Sequence, residues 1–159
     1  MMNHFYPQMR SRLILLLLGW FVTCASAETL VFTCTRVERD FKEIYELKVS
    51  LSTPNAGAQK GKVYLDGRDL DRRGDGGTQT IKNVVISKDR ISYLSDTHFE
   101  AEVFDGISYP PSSVLAVVIL DRRSGRLRKI ETVSGGILAL SLGEGAKSYD
   151  EECVPANPF

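Results

Sequence analysis

The stretch Val114 to Thr132, VLAVVILDRRSGRLRKIET, predicts a β-hairpin around which the other strands assemble. Its first part, Val114 to Leu120, is a run of seven apolar residues. Such a run is too short for an independent helix and is typical of a strand covered on both faces, so we expect the most buried strand here. Asp121 can bond nearby backbone N–H groups, and Gly125 tolerates the positive φ that ends a bulged hairpin turn. The chain is therefore predicted to reverse between these two residues.

The returning strand of this hairpin covers Arg126 to Val133. Leu127 and Ile130 have opposite parity along it, and side chains in a strand alternate between the two faces. We therefore expect a bulge or a twist that shifts the inward face partway along the strand.

A second hairpin is predicted from Thr78 to Ser95, with its turn at Ser87 to Arg90. Elsewhere, short apolar or alternating segments predict further strands. These are Thr29 to Val37, Tyr45 to Leu51, Lys62 to Asp66, Ala101 to Phe104 and Ile137 to Leu142. Seven or eight short strands at this spacing indicate an all-β fold, and we expect a small antiparallel β-barrel because closure removes exposed sheet edges. A two-sheet β-sandwich is the alternative.

Two polar segments are predicted to lack regular structure. Asp66 to Gln79 is rich in Gly and Asp and is expected to form an exposed loop. Lys147 to Phe159 contains Asp150, Glu151 and Glu152, which we interpret as a solvated acidic face on a polar tail.

The first residues predict a secretory signal peptide. Arg10 and Arg12 precede ten apolar or small residues, Leu13 to Val22, and Ala25 and Ala27 fit a small-residue cleavage site. The apolar run is shorter than the roughly 20 residues that a membrane helix requires. We expect cleavage after Ala27, with export to the periplasm or the cell exterior and no membrane span afterwards.

Residues 28–159 are then expected to form a single β domain. A retained N-terminal anchor, or a lipoprotein acylated at Cys24, is the alternative for residues 1–27. Without the signal segment the chain carries 18 basic and 20 acidic residues, because two of its 20 basic residues leave with the signal. A charge of −2 gives no electrostatic reason to expect a nucleic-acid partner.

The cysteines predict one disulfide. Of three cysteines, Cys24 leaves with the signal segment, and Cys34 and Cys153 remain as an even pair. The bond would join the first strand to the C-terminal tail and fasten the seam of the barrel. Disulfides persist outside the cytosol, in agreement with export.

These features together resemble a group of small secreted proteobacterial β-proteins. The resemblance rests on Cys34 with Phe41 downstream, on an Asp-Arg-x-Ser/Thr-Gly hairpin in which Arg123 is the variable residue, and on Cys153 near Phe159. It covers most of the chain after the signal. It implies a shared fold and location, and it implies no activity, cofactor or site residue.

No catalytic, cofactor or metal site is predicted, and the chain is not expected to be an enzyme. His98 is the single histidine after the signal segment and has no free cysteine to join it in a metal cluster. Asp69, Asp71 and Gly74 begin like a calcium loop, but Arg73 and Thr80 occupy positions where further ligands are needed.

One basic cluster is the candidate binding surface. It consists of Arg122, Arg123, Arg126, Arg128 and Lys129. Five cations within eight residues suit an anionic cell-envelope component or an acidic protein. The alternative is a solvated edge whose charges prevent strands of other molecules from pairing with it.

Three functions are considered on this basis. The first is a non-enzymatic periplasmic or secreted binding module. The second is a barrel that carries a small apolar ligand in a lumen lined by Tyr45, Leu47, Val117 and Ile119. A hydrolase is the third, and it is disfavoured because no nucleophile and base are recognised.

Overall fold

The computed structural model describes residues 28–52, 60–74 and 76–156. The predicted signal peptide, residues 1–27, lies outside this part of the chain. In chain order the elements are β1 (Glu28–Glu38), β2 (Phe41–Ser52), β3 (Lys60–Leu65), β4 (Arg68–Asp69), β5 (Arg72–Gly74), β6 (Gly77–Ile86), β7 (Arg90–Phe99), β8 (Glu102–Phe104), β9 (Ile107–Tyr109), β10 (Ser112–Asp121), β11 (Arg126–Ser134), α1 (Gly136–Leu142) and β12 (Gly145–Pro155). The all-β prediction is confirmed.

Ten of the described strands form one antiparallel sheet in the order β4-β3-β2-β1-β12-β11-β10-β7-β6-β5. Apart from β3 and β6, each long strand pairs with the next long strand of the chain, and β12 returns to pair with β1. β8 and β9 form a separate hairpin. The strands therefore follow an up-and-down order. The first and last described strands, β1 and β12, are neighbours in the middle of the sheet.

The sheet curls until β3 lies against β6. A Cβ on Gly61 of β3 would lie 2.1 Å from the Cβ of Val84, so only glycine permits this approach. Between β4 and β5, Asp71 Oδ1 accepts a hydrogen bond of 2.6 Å from the backbone N–H of Ile81 in β6. These contacts nearly close the sheet into a barrel.

The predicted number of strands is wrong. The sheet contains ten described strands instead of seven or eight. β12 lies in the segment predicted as a polar tail, and β4 and β5 lie in the segment 66–79 predicted as an exposed loop. They are two and three residues long, and they join the edge strands β3 and β6. Strands this short carry too few residues for an alternating pattern to be recognised in sequence.

The predicted central hairpin is confirmed as β10 and β11. Asp121 Oδ1 accepts hydrogen bonds from the backbone N–H groups of Arg123 (3.0 Å) and Ser124 (2.8 Å), and these bonds, that of Ser124 first, lower the pKa of Asp121. Gly125 has a φ of 74° and donates its N–H to the Asp121 carbonyl at 2.9 Å. Side-chain and backbone bonds thus fix the turn as the sequence predicted.

The bulge expected in β11 is absent. The pairing of β10 with β11 continues without a shift from Ser113 opposite Ser134 to Leu120 opposite Leu127. Ile130 lies opposite Val117 on the outer face, where the two apolar side chains can contact each other. Apolar pairing outside the barrel, not a change of face, therefore explains the parity of Ile130.

The prediction that β10 is covered on both faces is also wrong. Ala116, Val118 and Leu120 are buried, whereas Leu115 and Val117 are 41% and 37% exposed. An antiparallel barrel packs one face of each strand inside and leaves the other to solvent. The apolar run is therefore one-sided in its burial.

Apolar side chains fill part of the barrel interior. The buried cluster consists of Phe32, Cys34, Leu47, Val49, Val63, Ile81, Ile91, Tyr93, Val118, Leu120, Leu127 and Cys153. Leu47 and Leu120 are each 1% exposed, so this part of the interior is closely packed.

The predicted disulfide between Cys34 and Cys153 is present. The two residues are directly opposite in the pairing of β1 with β12, with a Cα–Cα distance of 4.0 Å. Two details of the prediction are wrong. Cys153 lies in a strand that pairs on both sides, not in an irregular tail, and the bond lies away from the seam between β3 and β6. Backbone pairing holds β12 although its sequence is polar.

The strand predicted at Ile137 to Leu142 is a helix, α1. Six apolar or small residues carry no period that separates helix from strand, and Leu and Ala favour the helix. None of the residues of α1 is buried. No helix in the described part of the chain has the length and apolar character that crossing a bilayer requires.

Candidate functional site

Charged side chains enter the barrel interior on three strands, toward the end at which β1 joins β2. Side chains two residues apart share a face of a strand. Arg36 follows Cys34 at this spacing, Lys129 follows Leu127, and Glu151 precedes Cys153. All three therefore point inward beside buried residues.

These groups surround a cavity of about 170 Å³. We call the following six lining residues the interior polar site: Arg36, Glu43, Tyr45, Tyr93, Lys129 and Glu151. The apolar side chains of Leu65, Val118 and Leu127 also line it. The interior polar site therefore lies next to the apolar core and is lined mainly by ionisable groups.

Glu151 is the most buried charged residue of the site, with 4% of its surface exposed. The hydroxyl of Tyr45 donates a hydrogen bond to its Oε2. Tyr45 is opposite Cys34, and Cys34 is opposite Cys153, so the bond crosses the width of β1. A buried carboxylate is costly unless such a donor compensates for lost hydration. The prediction that Glu151 belongs to a solvated face is therefore wrong.

Burial is the main influence on the pKa of both tyrosines of the site. Burial raises the pKa of Tyr45 well above its usual range, and the hydrogen bond to Glu151 raises it further. Burial also raises the pKa of Tyr93, with a smaller contribution from the charge of Glu151. Both phenols are therefore neutral at physiological pH, and Tyr45 keeps the proton that it donates.

Arg36 contributes a second polar group. Its Nη2 lies 3.1 Å from Glu43 Oε2, across the pairing of β1 with β2. Its Nε is buried and has no hydrogen-bond partner among the described residues. A buried donor without an acceptor is uncommon in native proteins and calls for an explanation.

Lys129 faces the interior, although the sequence placed it in the basic cluster. Its Nζ lies 3.0 Å from Glu131 Oε1, and the lysine side chain is 22% exposed. The same nitrogen is 5.3 Å from the centroid of the Tyr149 ring. Because side chains alternate between the two faces of a strand, Lys129 points inward whereas its neighbour Arg128 points outward.

The other four residues of the predicted basic cluster lie outside the barrel and have partners there. Arg123 Nε is 2.7 Å from Asp89 Oδ1, and Arg126 binds Asp150 through two nitrogens at 3.2 and 3.0 Å. The remaining contacts are from Arg122 to the carbonyl of Ser87 and from Arg128 to the hydroxyl of Ser148. The five cations therefore do not form one continuous surface, and two of those outside are paired with carboxylates.

The lumen proposed for an apolar ligand does not form from its four predicted residues. Tyr45 and Leu47 point inward. Val117 is on the outer face, and Ile119, two residues further along β10, shares that face. Because every residue from Val114 to Leu120 is apolar, the sequence of β10 has no alternation from which its inward side chains could be identified.

The residues considered for metal binding or catalysis lie elsewhere. His98 Nε2 is 3.0 Å from Asp96 Oδ1, and the histidine side chain is 63% exposed. Asp69 pairs with Lys62 and accepts the N–H of Asp71 at 2.9 Å. Within residues 28–52, 60–74 and 76–156, no group of three or more His, Cys, Asp or Glu side chains is placed to hold a metal ion.

A larger depression of about 630 Å³ lies beside Arg72, Arg73 and His98. All three side chains are exposed. The interior polar site is smaller, but the buried Glu151 and several partly buried charged groups converge there, which is the stronger sign of a binding site.

Comparisons with protein-family models, with curated proteins and with solved structures found no match to this chain. Fold and site together describe a nearly closed, barrel-like antiparallel sheet with an apolar core and a polar internal cavity. Its function is therefore argued from these residues.

Proposed function

We propose that the chain is a non-enzymatic binding module of the periplasm or cell exterior, and that it binds its partner at the interior polar site. One observation carries the proposal: the carboxylate of Glu151 is buried at a cavity. Placing a carboxylate there costs stability that an apolar side chain would not cost. Buried ionisable groups that line a cavity are typical of functional sites.

The proposed location has two supports. The disulfide between Cys34 and Cys153 suits an oxidising compartment. The sequence of residues 1–27 has the pattern of an export signal. The partner is then a component of that compartment, either free or released from the cell envelope.

The lining of the cavity favours a polar partner over the apolar ligand of the carrier alternative. Arg36, Lys129 and Glu151 would each lose hydration against an apolar molecule without gaining a hydrogen bond. A polar molecule would replace that hydration.

A binding experiment with a matched control tests the proposal. The purified protein is mixed with a small-molecule extract of the periplasm, and bound molecules are detected by native mass spectrometry. Glu151→Gln removes the buried charge, whereas Glu152→Gln changes the exposed neighbour on the other face of β12. Circular dichroism establishes that both variants are folded.

We expect at least one component to bind the wild type and Glu152→Gln, and to bind Glu151→Gln about tenfold more weakly, as expected for the loss of a charged hydrogen bond. Binding that both variants retain equally would place the site elsewhere. An extract in which nothing binds the wild type would contradict the proposed function.

A further inference from the structure

Arg36, which lines the cavity, indicates one half of the ligand. The guanidinium uses Nη2 for Glu43, and Nε is left buried without an acceptor in the described part of the chain. Arginine commonly binds carboxylates through its planar set of donors. Since Arg36 lines the cavity, a carboxylate bound there can accept from the accessible part of its guanidinium.

Glu151 indicates the other half. Among the described residues its side chain accepts one hydrogen bond, from Tyr45 to Oε2, and it forms no ion pair with a lysine, arginine or histidine. Its second oxygen therefore has no donor in this part of the protein. The rings of Tyr45 and Tyr93 line the same cavity. A carboxylate beside aromatic rings suits an ammonium group.

The charges and the size of the cavity narrow the class of ligand further. Three cationic and three anionic side chains line it: Arg36, Arg68, Lys129, Glu43, Asp66 and Glu151. A balanced lining gives no net attraction for a ligand of one sign, and an anionic ligand would also leave the buried Glu151 without a cationic partner. The volume of about 170 Å³ is below the roughly 300–1,000 Å³ of sites for drug-sized ligands.

We propose that the interior polar site binds a small zwitterion, a molecule with an ammonium and a carboxylate group a few bonds apart. The carboxylate accepts from the guanidinium of Arg36, and the ammonium donates to Glu151 beside the rings of Tyr45 and Tyr93. This inference rests on the proposed function, because it names the ligand class of the same site.

The test compares three kinds of small molecule at equal ionic strength. The zwitterions glycine, alanine and β-alanine carry both charges, acetate carries only the carboxylate, and methylammonium carries only the cation. Thermal melting and isothermal titration calorimetry are measured with the wild type. Arg36→Lys and Glu151→Gln change the two proposed contacts, and Arg126→Lys and Glu152→Gln are matched controls on the outer surface.

We expect at least one zwitterion to raise the melting temperature in a saturable way, and acetate and methylammonium together to fail to reproduce the shift. Affinity should fall about tenfold or more in Arg36→Lys and Glu151→Gln and stay unchanged in both controls. If a site variant does not fold, the comparison of the three kinds of molecule with the wild type decides the question.

Two results would overturn the zwitterion and are distinguishable from failure of the proposed function. A response to acetate or methylammonium equal to that of the zwitterions would mean that one charge suffices. No response to any of these molecules, with an extract component still bound in a manner that depends on Glu151, would mean that the site binds another class of ligand. If neither these molecules nor the extract binds, ordered water fills the cavity and both proposals fall.

Discussion

Tyr45 in β2 donates a hydrogen bond to Glu151 in β12 across the width of β1. The two residues are 106 positions apart in the chain, and the disulfide of Cys34 lies between their strands. One bond thus connects the first hairpin of the protein to its last strand inside the barrel. It also fixes the orientation of the most buried charged group of the interior polar site.

Removing the Tyr45 hydroxyl is predicted to destabilise the protein. In Tyr45→Phe the carboxylate of Glu151 stays buried without its donor, and this should lower the free energy of unfolding by about 1 to 3 kcal/mol. Urea unfolding measures the change. Tyr64→Phe is the control, because Tyr64 lies on the outer face against Lys48, and its effect should stay within about 0.5 kcal/mol. Equal effects of the two changes would show that the internal bond contributes nothing.

Alkaline pH is predicted to destabilise the barrel. Folding raises the pKa of Tyr45 and Tyr93, whereas in the unfolded chain both titrate near about pH 10. Above that pH the unfolded chain binds fewer protons than the folded protein, so stability falls as pH rises. Below about pH 9 the two tyrosines should contribute nothing to the pH dependence of stability, because they stay protonated in both states. Urea midpoints of the wild type and of Tyr45→Phe/Tyr93→Phe between pH 8 and 11 test this, and parallel pH profiles would contradict it.

Gly125 is predicted to be irreplaceable because the hairpin turn contacts the disulfide-bonded strand. A Cβ at this position would lie 2.3 Å from the carbonyl oxygen of Cys153, and the Gly125 carbonyl accepts the Cys153 N–H at 2.7 Å. Gly67 has a similar φ, 76° against 74°, with nothing within 4 Å. Gly67→Ala should therefore cost only the strain of the left-handed conformation, about 1 to 2 kcal/mol.

Gly125→Ala should cost that strain plus about 1 to 3 kcal/mol for the displaced backbone. Thermal or urea unfolding of the two variants gives the comparison. Equal losses at the two glycines would mean that β12 does not lie against the turn.

Loss of the disulfide is predicted to lower stability without releasing β12. The bond joins residues 119 positions apart, so its removal should cost about 2 to 5 kcal/mol, mainly through the unfolded chain. Cys34→Ser, Cys153→Ser and the double variant should have similar urea midpoints. Amide exchange in β12 should remain slow under native conditions, because β1 and β11 still pair with it. A midpoint that reduction leaves unchanged would contradict this account.

The parts of the fold that were predictable are those with a strong local pattern. The central hairpin was recognisable because Asp121 and Gly125 have the chemistry that its turn uses. The disulfide followed from the number of cysteines. In contrast, α1 was mistaken for a strand because its short apolar run has no distinguishing period, and the closing strands β4 and β5 are too short to have a pattern at all.

The interior polar site was not predicted, although its signal was present in the sequence. Arg36, Lys129 and Glu151 each lie two residues from a residue of the core, and this spacing places them on the inward face of a strand. The polar composition of Lys147 to Phe159 concealed the strand β12, and with it the burial of Glu151. β12 is stabilised by pairing with a strand on each side. This pairing depends on the whole sheet, so it cannot be recognised from the local sequence.

The most direct test of the central claim is an NMR titration that follows the arginine Nε–H signals of the wild-type protein. Arg36 Nε–H is buried without a described partner, whereas Arg126 Nε–H is bound to Asp150 outside the barrel. On titration with the zwitterion that raises the melting temperature most, the account predicts a saturable shift of the Arg36 signal and a stationary Arg126 signal. A stationary Arg36 signal at saturation, or a shift confined to Arg126 and its outer neighbours, would contradict binding at the interior polar site.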